Sequence, residues 1–353
     1  MSSISMKHFI LFAMGLAATI PALAKPLAIF YMSNTPDSVR DFLAHSSQIG
    51  LLVPAWYEVD QNGLVTGAAN NLVLQRAQDE RLPVMPIVAL FDQKNFHLLA
   101  SNAAAQAQMN EAMIRECKLH GYTGFQLDFE NVAWTDRDAL SALVKTSADA
   151  LHHAGFQLTI ATVPNAPGYP GSGGFSKWIY TDWRGAYDLA AIGKSADFIC
   201  LMTYDQHTRW TAPGPVAGWQ WTIDNLEYAL KYVPPEKLAL GIPLYGNHWY
   251  SAAPVLNKVT GEYEPAPGTQ ELSAPDALLL AETYDGKIQW DSEDRSAYFY
   301  IYRDQLREWV FFTDLRTFKE RYDLAAKDGL AGICSWVLGD EDPAIWTFLP
   351  QHR

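Results

Sequence analysis

Short, unbroken apolar runs alternate along the chain with longer stretches that carry one polar face. Eight runs stand out, at 27–33, 49–57, 82–90, 124–132, 156–164, 198–205, 238–246 and 331–339. A strand with one wet face would alternate apolar and polar residues. These runs do not, so both of their faces are covered, as in a parallel sheet clothed by helices. Helices fit the intervals. Thr35-Pro36 puts proline at a first helical position. The stretch 105–121 ends on Gly121, a stop signal. Thr135 to Asp138 has the look of a capping box, opening a helix that closes at Gly155. Eight strands alternating with helices predict an α/β fold, a (β/α)8 TIM barrel. One interval does not fit: residues 250–313 hold short β-like runs and Gly/Pro turns, so a small α+β insertion is expected between strands 7 and 8.

The first residues obey a different rule. Lys7 and His8 precede an apolar run, and Ala22 and Ala24 fit a small-x-small cleavage site. The run is too short to span a bilayer comfortably. Residues 1–24 are therefore predicted to be a signal peptide, and 25–353 an exported domain, periplasmic or secreted, without a membrane anchor after cleavage. Losing Lys7 takes the formal net charge from -13 to -14. Such an acidic surface argues against nucleic acid and anionic membranes and suits a neutral polysaccharide. The 12 Trp and 17 Tyr are what a sugar cleft needs, because flat rings stack on pyranose faces. Cys117, Cys200 and Cys334 match no zinc or redox spacing. Cys200 and Cys334 lie in apolar runs and are expected as buried thiols, with one disulfide left open for an oxidising compartment. No metal or other cofactor is expected, and the chain is read as a monomer.

The fourth run, "GFQLDFENV", carries the chemistry. On a strand, Gln126, Asp128 and Glu130 share one face while Leu127 and Phe129 share the other. In a barrel the polar set faces inward and Glu130 reaches the C-terminal mouth, where barrel enzymes keep their catalytic groups. Burying two carboxylates costs several kcal/mol (roughly), which a purely structural strand has no reason to accept. Their Cα atoms lie about 6.6 Å apart, twice the rise per residue. Mutual repulsion then raises one pKa, leaving Glu130 protonated as a general acid for a glycosidic oxygen.

These residues resemble the active-site strand of family 18 glycoside hydrolases, the chitinase family, whose pattern is Asp-Gly-x-Asp-x-Asp-x-Glu. "LMTYD" at 201–205 resembles the Met-x-Tyr-Asp motif of that family's sixth strand, and Trp336 its last-strand tryptophan. Segments such as "DWRGAYDLAAIGKSADFICLMTYDQH" and "GIPLYGNHW" are similar to the spore-germination and cortex-lytic branch. The resemblance implies substrate-assisted hydrolysis of β-1,4 bonds next to N-acetylglucosamine, in peptidoglycan first and chitin oligosaccharides second. It makes Glu130, Asp128 and Tyr204 catalytic. Gln126, Met202, Asp205, Trp336, Tyr31 and Tyr245 become substrate-binding. The alternative is a lectin-like barrel that binds such glycans without cutting them. Two positions depart from the motif: Thr123 replaces the first Asp and Gln126 the middle one. Gln126 can hydrogen-bond Asp128 but cannot share a proton with it.

Overall fold

The computed structural model describes residues 25–166, 170–264 and 267–351. The predicted leader and part of the Gly/Pro-rich loop at 165–174 lie outside them. Eight parallel strands form the barrel: β1 (Leu27–Met32), β2 (Leu51–Val59), β3 (Ile87–Leu90), β4 (Gly124–Phe129), β5 (Gln157–Thr162), β6 (Ile199–Leu201), β7 (Leu238–Pro243) and β8 (Gly332–Trp336). Each pairs with its neighbours in order. The barrel closes by β1 pairing with both β8 and β2.

The alternation along β4 separates two cores. Phe125, Leu127 and Phe129 join the large apolar layer between barrel and helices, where Phe129 meets Phe96 edge-on at 6.0 Å. The other face points into the barrel, among Tyr31, Val53, Ile87, Ala89, Ala161, Met202 and Ala239.

Two strands are shorter than their apolar runs. In 82–90, Pro83 and Pro86 have no N–H to give a ladder, so Val84 makes only an isolated bridge to Leu52 before β3 begins. In 198–205, the Thr203 and Tyr204 amides fold back to the carbonyls of Leu201 and Met202, each at 2.8 Å, and end β6 early. The capping box at Thr135 does not form either. The helix runs Arg137–His153 after a short 3-10 turn, and Asp136 instead meets His97 Nδ1 at 2.9 Å.

Cys200 and Cys334 are not free thiols but a disulfide. Both point inward from β6 and β8, the two neighbours of β7, whose inward Ala239 is small enough to let the sulfurs meet. Strand-by-strand reading cannot see that approach, because barrel closure creates it. Cys117 remains a buried thiol.

Between β7 and β8 the chain builds a five-stranded antiparallel sheet from Tyr245–Ser251, Pro267–Ser273, Gln289–Asp291, Ser296–Arg303 and Leu306–Phe312, with helix Ala274–Thr283 packed on it. Arg321, fully buried on the helix Leu315–Lys327, ties this insertion to the barrel. Its guanidinium donates to the carbonyls of Asp294 and Arg295 on one side and of Ala217 on the other. No described helix is long and apolar enough to cross a membrane.

Candidate active site

The site grows from the C-terminal ends of four strands. On β4, Asp128 sits beside Ala89 of β3, whose small side chain leaves it room. The Glu130 amide still pairs with Leu90 O at 3.1 Å. Asn131 then turns the chain away with φ 54°, so Glu130 is the last inward residue at the mouth. The early end of β6 swings Tyr204 and Asp205 inward, with Asp205 itself in the left-handed region at φ 62°. At β8, Trp336 O accepts from Leu244 N at 2.7 Å, and the indole lies 5.2 Å from the Tyr31 ring. Tyr245, the first residue of the insertion sheet, donates its hydroxyl to Asp205 Oδ1.

Tyr31, Asp128, Glu130, Met202, Tyr204, Asp205, Tyr245 and Trp336 line one cleft of about 560 Å³. Gln126 does not. It is fully buried one layer below, and its amide donates to Thr159 Oγ1 at 3.1 Å and Cys200 Sγ at 3.4 Å. In place of the substrate-binding role expected of it, Gln126 braces the barrel interior, and its amide turns to these acceptors and not to Asp128. The reason is the disulfide beside it, which offers an acceptor sideways. Trp210, after β6, also lines the cleft, whereas Trp56 and Trp249 are buried and Trp219 carries Arg295 on its face at 3.9 Å.

Burial sets the electrostatics. Asp128 is 5% exposed, and its Oδ1 has no hydrogen-bond partner among the described residues. Desolvation therefore pushes its carboxyl up from the usual range. The Glu130 carboxyl is raised too, first by desolvation, then by the charges of Asp128 and Asp205. Asp205 opens onto the cleft, yet the walls strip enough water to raise it, and the bond from Tyr245 opposes that rise. Burial holds the Tyr204 hydroxyl protonated, well above its ordinary value. The result is a carboxyl that keeps its proton near neutrality beside a second carboxyl and a phenolic donor. That set can protonate a leaving oxygen and hold an amide. Among the described residues, no group of His, Cys, Asp or Glu is arranged to hold a metal ion.

The sequence model of Glycosyl hydrolases family 18 matches residues 28–342. The chain belongs to this family.

It is accordingly a glycoside hydrolase. The uncharacterized glycosylase YvbX of Bacillus subtilis (strain 168) is 24% identical over 97% of this chain and 98% of its own. The cortical fragment-lytic enzyme of the same organism is 24% identical over 90% of this chain and 70% of its own. Two solved structures share the fold. The chitinase from Chromobacterium violaceum ATCC 12472 superposes with a TM-score of 0.80 at 24% identity, covering 92% of this chain and 98% of its own. The Bacillus megaterium QM B1551 spore cortex-lytic enzyme SleL does so with a TM-score of 0.77 at 24% identity, covering 92% and 74%.

On this family 18 barrel the cleft also has walls that strand-end motifs could not announce. Phe91 follows β3. Phe175, Trp178, Trp183 and Arg184 follow β5, and Arg209 follows β6. Position after a strand end was the available signal for these. Asn247, Thr269 and Glu271 come from the insertion sheet, where no barrel periodicity points to a site. Tyr187, hidden behind the cleft, donates to Phe129 O at 2.7 Å and fixes the strand end that carries Glu130.

Proposed function

We propose that this enzyme is exported and cleaves β-1,4 bonds next to N-acetylglucosamine, with peptidoglycan as the favoured substrate and chitin oligosaccharides second. The observation that carries the reading is Glu130: a carboxyl at the mouth of the barrel, raised by burial and by Asp128, within one cleft with Tyr204 and Trp336. The similarity to the cortical fragment-lytic enzyme and to SleL supports a cell-wall glycan. The disulfide supports export, since such bonds persist in oxidising compartments.

In this mechanism Glu130 gives its proton to the glycosidic oxygen, and the bond to the anomeric carbon breaks. The 2-acetamido carbonyl of the same sugar forms a bond to that carbon, giving an oxazolinium ion. Asp128 accepts from the acetamido N–H and balances the positive charge. Tyr204 donates its hydroxyl to the acetamido oxygen, and Trp336 floors the sugar. Water then attacks the anomeric carbon and returns its proton to Glu130, so configuration is retained. Asp205, Tyr245, Met202 and Tyr31 shape the same subsite. An ionisable acid at Glu130 argues against the lectin-like alternative.

The test is proton NMR of products from N-acetylglucosamine oligomers and peptidoglycan strands. Release of the β-anomer first, lost in Glu130→Gln, supports the scheme. Initial release of the α-anomer overturns it.

A further inference from the structure

The cleft floor is lined by carboxyl groups, Asp128, Glu130, Asp205 and Glu271, in a chain of net charge -13. Against that background the placement of Arg209 stands out. It lies at the cleft rim on the loop after β6, with its Cζ 4.8 Å over the ring of Trp210. No carboxylate among the described residues pairs with it. The half-buried Arg295 and Arg303 meet Glu320 at 2.7 Å and Glu308 at 2.8 Å; the exposed Arg307 and Arg316 also lie over aromatic rings, but they do not line the cleft.

The loop around Arg209 is built rather than slack. Thr208 N donates to Thr211 Oγ1 and Thr211 N to Thr208 O, each at 3.0 Å. Trp210 N donates to Thr208 Oγ1 at 3.3 Å. Asn247 of the insertion sheet holds the loop from outside by donating to His207 O at 3.2 Å. Trp210 is 67% exposed, an unusual place to spend a large indole unless something covers it. Contact with the ring face restrains the guanidinium at the rim. A planar fork of donors fits a carboxylate bidentately, and Arg is weakly hydrated enough to give up its water for one. A neutral glycan offers that fork only single hydroxyl or amide oxygens, whereas a carboxylate meets both of its arms with opposite charge.

We propose that Arg209, held on Trp210, binds a carboxylate on a sugar flanking the N-acetylglucosamine at the point of cleavage, and so selects an anionic glycan over neutral chitin. This rests on the N-acetylglucosaminidase reading above. In an alternating wall glycan, both neighbours of that sugar carry a lactyl ether. The carboxylate comes either from the lactyl group itself or, where that is amidated, from the attached peptide.

The experiment is equilibrium binding in a Glu130→Gln background, with and without Arg209→Gln. The probes are peptide-free peptidoglycan strands, peptide-bearing strands and N-acetylglucosamine oligomers of equal length. We expect the carboxylate-bearing strands to bind roughly tenfold tighter than the neutral oligomers. Arg209→Gln removes that advantage and leaves the oligomers unchanged. A loss on peptide-free strands names the lactyl carboxylate as the source; a loss confined to peptide-bearing strands names the peptide. The proposal is overturned if Arg209→Gln weakens all three probes alike, or if it weakens neither anionic strand, or if the anionic strands do not bind. Because the readout is binding, these outcomes stand apart from hydrolysis. Failure of the wild type to cut any N-acetylglucosamine polymer would sink the proposed function instead.

Discussion

Glu130→Gln should make the protein more stable while disabling it. The side chains have nearly the same shape, so packing is preserved and only the ionisable group is lost. Glu130 is partly buried, next to Asp128 and Asp205, and its carboxyl is raised by desolvation and then by their charges. The native state therefore holds a proton that the unfolded chain releases above about pH 4.3, the ordinary glutamate value. As pH rises from there through the raised native value, the wild type loses stability. Gln has no proton to lose. The difference should vanish near pH 4 and grow to about 1–3 kcal/mol above neutrality, the cost of a poorly compensated buried polar group. For a chain of this size that is roughly 2–6 °C in Tm, at about 2 °C per kcal/mol. Turnover should fall about 10²–10⁴-fold, the contribution of a positioned general acid. Calorimetry at pH 4 and pH 8, paired with hydrolysis of a chromogenic N-acetylglucosamine oligomer, reads both. A variant no more stable than wild type at pH 8, or equally stabilised at both pH values, would refute the burial argument. Near-normal turnover would refute the role of the acid.

Asp128→Asn should lower the rate and also shift the alkaline limb of the kcat/KM profile to lower pH, because the Asp128 charge helps to raise Glu130; an unmoved limb would contradict that coupling. Tyr204→Phe removes the donor proposed for the acetamido oxygen, and kcat should drop about 10²-fold with a smaller change in KM; a KM effect alone would make Tyr204 a binding group only. The double variant Cys200→Ser/Cys334→Ser opens a link spanning 134 residues and should cost about 2–4 kcal/mol of stability. Dithiothreitol should reproduce that loss in the wild type and add nothing in the variant, as followed by denaturant unfolding.

Most of the barrel could be read from the chain because a strand covered on both faces leaves an unbroken apolar run. The inward set on β4 could be read because polar residues in such a run must have a reason. What escaped depended on closure or on local competition. Cys200 and Cys334 are remote in sequence and pair only because the curved sheet turns their strands toward one centre. From its own strand Gln126 can reach Asp128. Thr159 on β5 and Cys200 on β6 offered acceptors from neighbouring strands instead. The apolar run of β6 continued past the strand because Met202 and Tyr204 are cleft residues as well as hydrophobic ones. Glu271 and Asn247 belong to a sheet that folds over the barrel mouth, so their part in the cleft is set by tertiary placement alone.

The function proposed for this enzyme is cleavage on the reducing side of N-acetylglucosamine with Glu130 as acid. It is tested most directly by digesting purified peptidoglycan, reducing the new ends with borohydride and identifying the terminal sugar alcohol by mass spectrometry. The wild type should yield N-acetylglucosaminitol and Glu130→Gln none. N-acetylmuramitol at the new ends, or N-acetylglucosaminitol released equally by the variant, would contradict it.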